Sequence, residues 1–147
     1  MTAGLSDEHG HEHTTGGALC LQFTNTTSAR HTDTPSEHLH SYADLLAWAQ
    51  TENILTPEMA VHLAAEAARC PQAAGAALEQ AIALREAIYA IFTAHAAGAA
   101  PNTGDLALLN QALAEALPHR RLVGNAEGFG WEWAAEPEAL AQMLWPV

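Results

Sequence analysis

One basic residue, Arg85, lies in the middle of an apolar segment, residues 80–92, with the sequence QAIALREAIYAIF. The segment predicts a helix, and on a helical wheel Arg85 falls inside the arc occupied by Leu84, Ile88 and other apolar residues. Because a buried, unpaired guanidinium is costly, Arg85 must reach solvent, pair with a carboxylate or backbone carbonyls, or line a wet cavity. Taken alone, the pattern favours a structural role over contact with a ligand.

Two other segments place polar groups where they could join Arg85. In the helix predicted after residue 105, Asn110 is directed toward the core, where a structural hydrogen bond is the simpler interpretation. Residues 23–30 (FTNTTSAR) place polar side chains at the end of a predicted strand, although such residues also form ordinary turns. If this loop folds over the two helices, one electropositive, concave spot would form, suited to a small carboxylate or phosphate. Its members would be Asn25, Arg30, Arg85 and Asn110.

Histidine-rich stretches suggest a different chemistry, metal binding. His9, His11 and His13, with acidic residues among them, could chelate a transition metal through imidazole and carboxylate groups. Residues 31–40 (HTDTPSEHLH) also hold histidines and acids, but such residues are expected as caps before a helix. Since neither stretch shows a preorganised ligand spacing, we predict no metal site and keep the His-rich tail as an alternative function.

Catalytic signatures are missing from the sequence. It contains no phosphate loop, dinucleotide fingerprint, nucleophile elbow or His-Glu-x-x-His motif. His62 and His95 lie on predicted helices with no nucleophile at a recognisable spacing. We therefore expect a protein that is not an enzyme and that has no cofactor.

The charge of the chain limits its partners. The formal net charge is −12, from 17 acidic residues against 5 basic ones, all of them Arg. Phosphate backbones are bound by clustered Lys and Arg, and only Arg120 and Arg121 are adjacent, so this chain alone should repel DNA. No apolar run is long enough to span a bilayer, and the amino terminus lacks a secretory signal, which makes the cytoplasm the expected location.

The periodicities predict one domain, residues 18–147, after a disordered tail, residues 1–17. Residues 18–25 (ALCLQFTN) alternate between apolar and polar positions, which predicts a strand. Four or five helices follow. Thr56 and Pro57 begin the second of them, and the longest runs from about residue 72 to 97. In the helix after residue 105 we expect one core-facing side: Leu106, Leu109, Leu113, Ala116 and Leu117.

A hairpin and a last helix complete the predicted order. Residues 120–134 (RRLVGNAEGFGWEWA) contain two short extended runs around a turn, with an aromatic side that we expect to pack on the helices: Phe129, Trp131 and Trp133. Glu136 and Pro137 would open a final helix. The predicted fold class is α+β, mainly α: four or five helices packed on a small antiparallel sheet that combines the N-terminal strand with the hairpin.

The order of several short motifs resembles the ABATE domain, the amino-terminal half of bacterial CGNR zinc-finger proteins, which are described as candidate stress-induced transcription regulators. The motifs are LCLQFTNT, SYADLLAWAQTENIL, ALREAIYAIFTAHAAG, DLALLNQAL and the Trp-bearing hairpin. The resemblance covers about residues 18–147. It implies an α-rich sensor of a small molecule. Asn25 and Thr26 match the strand-end Asn-Thr of the family, and Arg85 matches the Arg of its central helix.

The chain departs from the family in two ways. Gln22 stands where family members often carry an acid, and neither a Cys-Gly-Asn-Arg motif nor a cluster of zinc-ligand cysteines occurs. Zinc-finger DNA binding therefore cannot be assigned to these residues. The leading hypothesis is a sensor domain that binds a small anionic or polar effector. An alternative is a protein interaction module that docks a second copy or a C-terminal zinc-finger module through an exposed end at Trp145 and an acidic surface.

Overall fold

The computed structural model describes residues 16–147. Five helices and two separate two-stranded antiparallel sheets confirm the predicted mainly α, α+β class. The predicted tail lies outside the described residues, except that Gly16 and Gly17 begin the first helix. The helices are α1 Gly16–Thr24, α2 Tyr42–Thr51, α3 Pro57–Arg69, α4 Pro71–Ala96 and α5 Thr103–Ala116, and the strands are β1 Thr27–Ser28, β2 Ser36–Glu37, β3 Arg120–Asn125 and β4 Gly128–Trp133.

The strand predicted over residues 18–25 is wrong, because this segment is helix α1. The residues that point inward follow the helical period rather than an alternation: Leu19 and Phe23 are buried one turn apart, and Thr24 is buried beside Phe23. Leu21, which a strand would bury with them, is exposed. Leu19, Leu21 and Phe23 alternate as in a strand, but Leu19, Cys20 and Phe23 also share one side of a helix, so tertiary packing decides between the two.

Helix α3 begins at the predicted cap: the Thr56 hydroxyl accepts a hydrogen bond from the Met59 backbone N–H, ahead of Pro57. Helix α2 begins with a capping box, in which the Ser41 side chain accepts a hydrogen bond from the Asp44 backbone N–H and the Asp44 carboxylate accepts one from the Ser41 backbone N–H. The apolar residues spaced along one helical face in and just before α2 are all buried: Leu39, Tyr42, Leu45, Leu46 and Ala49.

Helix α4 is the central element, since it packs against α1, α2, α3 and α5. Its inward side is rich in alanine, which lets neighbouring helices approach closely around the larger side chains of Leu84 and Ile88. Among residues 16–147, no helix is both long enough and apolar enough to cross a membrane.

Helix α5 packs on α4 through a side that shares only Leu109 and Ala116 with the predicted one. Its inward residues are Leu108, Leu109, Ala112 and Ala116. Leu106, Leu113 and Leu117 are exposed, and so is Asn110, which therefore does not face the core. The prediction failed because α5 carries leucine on most of its circumference, so its sequence does not distinguish the packed side from a second apolar side.

The hairpin forms as predicted, with Leu122 opposite Trp131 and Asn125 opposite Gly128. It does not pair with the N-terminal segment, and its aromatic side is not buried: Phe129 is 83% and Trp131 is 64% exposed. Gly124 in β3 and Gly130 in β4 have no side chains, so few side-chain contacts form between the two strands at these positions. Arg120 lies over the rings of Trp131 and Trp133 instead, at 5.3 and 5.4 Å from the centroids.

The last predicted helix is replaced by turns and a 3-10 helix, Gln142–Leu144. The Gln142 side-chain amide donates hydrogen bonds to the carbonyls of Glu136 and Ala139, which holds the segment in a compact loop. Tyr42 donates a hydrogen bond of 2.6 Å to the carbonyl of Leu140, and the buried side chains of Met143 and Leu144 complete the core. Trp145 is partly buried and stacks on His119 at 3.8 Å, so it is not the exposed end that the interaction alternative assumed.

Candidate functional site

Arg85 projects inward from the middle of α4 and is only 2% exposed. Its guanidinium donates two hydrogen bonds to Glu37, from Nη1 to Oε1 at 2.7 Å and from Nη2 to Oε2 at 2.6 Å. Nη1 also donates to the Thr26 hydroxyl at 3.1 Å, and Nε donates to Glu86 at 2.8 Å. The predicted burial of Arg85 is confirmed, and its partners are two carboxylates and a hydroxyl of the same chain.

Glu86 links Arg85 to Arg30. The two Glu86 oxygens accept hydrogen bonds from Arg30 Nη1 at 2.7 Å and from Arg30 Nη2 at 2.9 Å, and Oε1 also accepts from Arg85 Nε. The Arg30 guanidinium lies 4.2 Å from the centroid of the Tyr89 ring, one turn further along α4. We call these four charged residues, Arg30, Glu37, Arg85 and Glu86, the Arg–Glu network.

The loop between α1 and α2 brings Arg30 and Glu37 onto α4. Strand β1 pairs with β2 through Thr27 opposite Glu37, and the His38 backbone N–H donates to the Thr26 carbonyl at 3.0 Å. Between the strands, Ala29 has a φ of 54°, an uncommon conformation for a residue with a side chain, and it turns the loop so that Arg30 points back toward α4. The short ladder is therefore the device that positions half of the network.

Hydrogen bonding within the network keeps both carboxylates ionised. The hydrogen bonds from Arg85 lower the pKa of Glu37 to about 2, with a further contribution from the Leu39 backbone N–H. The hydrogen bonds from Arg30 lower the pKa of Glu86. Burial acts to lower the pKa of Arg85, but the hydrogen bonds from Arg85 to Glu37 and Glu86 outweigh it and raise the pKa. With two guanidinium and two carboxylate groups, the network has no net charge.

An open cleft of about 470 Å³ lies over this network, lined by Thr27, Arg30, Pro35, Glu37, Ile82, Arg85, Glu86 and Tyr89. In this cleft the acidic side chains are more exposed than the basic ones. The side chains of Glu37 and Glu86 are 34% and 45% exposed, whereas those of Arg30 and Arg85 are 14% and 2% exposed. Carboxylate oxygens are thus the polar atoms that a molecule in the cleft would meet first. Arg30 Nε is buried, and its N–H donates to no acceptor in the described part of the chain.

The structure brings together three of the five residues predicted for the site. Arg30 and Arg85 line the cleft, and Thr26 lies behind it in contact with Arg85. Asn25 is exposed at the end of α1, and Asn110 is exposed on α5, so neither contributes to the cleft lining within residues 16–147. The predicted site, in which two side-chain amides and two guanidinium groups come together, is therefore not formed.

Sequence reasoning missed Glu37 and Glu86 as site residues. Glu86 follows Arg85 directly, and a wheel places the two on different sides of α4, yet both side chains are long enough to meet at the helix surface. Glu37 appeared only among the acids of the His-containing stretch, 48 residues from Arg85 in sequence. The one available signal was the rule that a buried Arg needs a carboxylate, and it does not say which carboxylate.

Neither metal hypothesis gains a site in the described part of the chain. No group of three or more His, Cys, Asp and Glu side chains there is arranged to hold an ion. In residues 31–40, Glu37 is bound to Arg85 and His38 Nε2 lies 3.0 Å from the Ser28 hydroxyl. His9, His11 and His13 lie outside the described residues.

Comparison of the sequence with known families identifies one family that it matches. A search of the curated proteins finds no match to this chain, and a search of the solved structures finds none either. The sequence model of the ABATE family, described as "Putative stress-induced transcription regulator", matches residues 17–147. The match covers nearly all of the chain, including every residue of the Arg–Glu network, and confirms the resemblance stated above. The chain belongs to the ABATE family.

Proposed function

We propose that this domain is the sensor part of a stress-related transcription regulator and that it binds a small polar effector in the cleft over the Arg–Glu network. The observation that carries the proposal is the charged network itself, set in the central helix and covered on one side only. The adjoining cleft would give a small molecule direct access to the charged groups of the network. The description of the family supports the regulatory part of the proposal.

The geometry favours an effector that donates hydrogen bonds, such as an amine or a polyol. Four of the hydrogen bonds that Arg85 can donate are already directed at Glu37, Glu86 and Thr26. An anionic effector would have to displace one of the two carboxylates, at a cost comparable to the pairing it replaces. An amine or hydroxyl group would instead meet the exposed Glu37 and Glu86 oxygens without breaking the network.

In this proposal the domain binds its effector without catalysing a reaction on it and acts in the cytoplasm. The net charge of −12 opposes direct contact with a nucleic-acid backbone, so DNA binding would belong to another module or to a partner. The effector would act by stabilising the loop between α1 and α2 against α4, because Glu37 and Arg30 come from that loop.

A thermal-shift screen tests the proposal with three sets of small compounds of similar molecular size: amines, polyols and carboxylates. We expect stabilisation by members of the first two sets. Ile82→Trp narrows the cleft without removing a charged group of the network and should abolish the shift, whereas His95→Trp, on an exposed position of the same helix, should leave it unchanged. Shifts from carboxylates alone, or a shift that survives Ile82→Trp, would contradict the proposed effector class or its site.

The interaction alternative keeps one specific observation in its favour. Two apolar surfaces, the aromatic side of the hairpin and a second side of α5, are exposed. Scattered apolar residues at a surface are normal, but aligned sets mark contact surfaces.

A further inference from the structure

Glu86 has the carboxylate oxygen with the most room for a further hydrogen bond in the cleft. Among residues 16–147, its Oε2 accepts a single hydrogen bond, from Arg30 Nη1 at 2.7 Å. Its Oε1 accepts two, from Arg30 Nη2 and Arg85 Nε. Each carboxylate oxygen has two lone pairs, so Oε2 keeps one of them free. Because Glu86 is also the most exposed member of the Arg–Glu network, a donor that enters the cleft would bind there.

The carboxylate of Glu37 is more fully occupied. Its Oε1 accepts hydrogen bonds from Arg85 Nη1 and from the backbone N–H groups of His38 and Leu39. Its Oε2 accepts one from Arg85 Nη2 at 2.6 Å and a long one of 3.4 Å from the Thr27 hydroxyl. The two acids of the network are therefore not equivalent for a ligand.

A positively charged donor fits Glu86 better than a neutral one. The network contains two guanidinium and two carboxylate groups, so the net charge of −12 lies on the rest of the chain. The field of so acidic a molecule attracts cations and repels anions. An ammonium group adds Coulombic attraction that a hydroxyl group lacks, and the guanidinium groups oppose it less because they are paired and less exposed. These effects favour an amine over a polyol.

The cleft also offers apolar contacts beside Glu86. Ile82, Glu86 and Tyr89 are spaced by four and three residues along α4, so they lie on one side of the helix. Pro35, from the loop between α1 and α2, lines the same cleft. Since Arg30 covers one face of the Tyr89 ring, we expect the apolar part of a ligand at Ile82 and Pro35. The helix rises about 6 Å between positions 82 and 86, which a short carbon chain can span.

We propose that the cleft selects an amphipathic amine, whose ammonium group donates to Glu86 Oε2 and whose apolar body packs on Ile82 and Pro35. This inference rests on the proposed function and narrows its effector class. A polyol has no charge for Glu86 and no apolar body for Ile82. Arylalkylamines are simple compounds that combine the two groups.

Three probes of equal length test the charge of the effector: phenylpropylamine, phenylpropanol and phenylpropanoate. Titrations of the full chain, followed by NMR chemical shifts, give the dissociation constants. We expect the amine to bind at least about tenfold more tightly than the alcohol, and the carboxylate not to bind. Methylamine, which has the ammonium group without the apolar body, should bind at least about tenfold more weakly than phenylpropylamine.

Substitutions test the two residues. Glu86→Gln should lower the ratio of amine to alcohol affinity to about one, because specificity is a difference between two affinities. Glu79→Gln removes an exposed acid of the same helix, and hence the same net charge, and should leave this ratio unchanged. Ile82→Ser should weaken the binding of phenylpropylamine but not of methylamine, whereas Val61→Ser, at an exposed apolar position of α3, should affect neither. Far-UV circular dichroism verifies that the variants are folded.

The results separate this inference from the proposed function. Equal binding of phenylpropylamine and phenylpropanol, or an affinity ratio that survives Glu86→Gln, would overturn the amphipathic amine. Chemical-shift changes in the cleft from polyols alone would overturn it as well and retain the proposed function. The absence of changes with every amine, polyol and carboxylate would overturn both.

Discussion

The guanidinium of Arg85 holds the carboxylate of Glu37 by two parallel hydrogen bonds of 2.7 and 2.6 Å, across 48 residues of sequence. Together with the Arg30–Glu86 pair, this pair joins the central helix to the loop that follows α1. The Arg85–Glu37 pair also lines the cleft in which we propose that the effector binds. In the proposed function, Arg85 therefore contributes to stability and to effector binding.

Replacement of Arg85 by Met should destabilise the domain by about 3 kcal/mol, because Glu37 and Glu86 would lose a shared partner and Thr26 an interaction. The contacts of Arg85 lead us to expect that Arg85→Met reduces the free energy of unfolding as well as effector binding. Urea unfolding measures the difference. Arg69→Met, which removes an exposed pair with Glu66, is the control and should cost less than about 0.5 kcal/mol.

Acid should weaken the fold in a defined range. The pKa of Glu37 is about 2 in the folded protein against a usual value of 4.5, so the unfolded chain takes up this proton first as the pH falls. The stabilisation is complete above about pH 4.5 and is lost toward pH 2, and it should amount to about 1 to 2 kcal/mol after allowance for solvent screening. The Glu37→Gln variant should be less stable than the original protein at neutral pH. Its free energy of unfolding should also change less between pH 4.5 and pH 2. Parallel unfolding profiles for the two proteins would count against the pairing.

Substitutions in α1 distinguish the helix from the strand that its sequence suggested. In the helix, Leu21 is exposed and Leu19 is buried, whereas a strand would bury both on one side. Leu21→Lys should change the free energy of unfolding by less than about 0.5 kcal/mol, and Leu19→Lys should cost more than about 2 kcal/mol. Equal losses in the two variants would support the strand.

The hairpin should tolerate loss of its aromatic side chains. Phe129→Ala is expected to change stability by less than about 0.5 kcal/mol, because the ring is almost fully exposed, while Phe23→Ala should cost about 3 to 5 kcal/mol through the cavity that it leaves. Thermal unfolding of both variants provides the comparison. A large loss for Phe129→Ala would mean that the hairpin packs against a surface of the folded domain.

Local signals explain which parts of the fold were predictable. Thr56 and Pro57 act within one turn of the helix that they begin, and the turn and the alternating residues of the hairpin predict its strands. The apolar residues of segment 18–25 fit both a strand and a helix, and α5 carries leucines on two sides, so in both cases only packing against α4 decides. The sequence predicts a helix after Pro137, but the Gln142 side chain stabilises turns there.

The site was predictable only in part, for a similar reason. The inward direction of Arg85 follows from the periodicity of α4, and its need for a partner follows from electrostatics. The identity of that partner depends on how the loop between α1 and α2 crosses α4, which is set by the two-residue ladder and by the turn at Ala29. No periodicity encodes such a crossing, so Glu37 could not be selected from 17 acidic residues.

The central claim is that an effector donates hydrogen bonds to the Arg–Glu network inside the cleft, and the Nε–H signals of arginine in a nitrogen-15 NMR spectrum test it most directly. The chain has five arginines, so five signals report on the whole molecule. Titration with the amine or polyol that gives the largest thermal shift should move the signals of Arg30 and Arg85 and leave those of Arg69, Arg120 and Arg121 in place, while a carboxylate of equal size should move none. Unchanged signals for Arg30 and Arg85, or changes at Arg120 and Arg121 instead, would contradict the account.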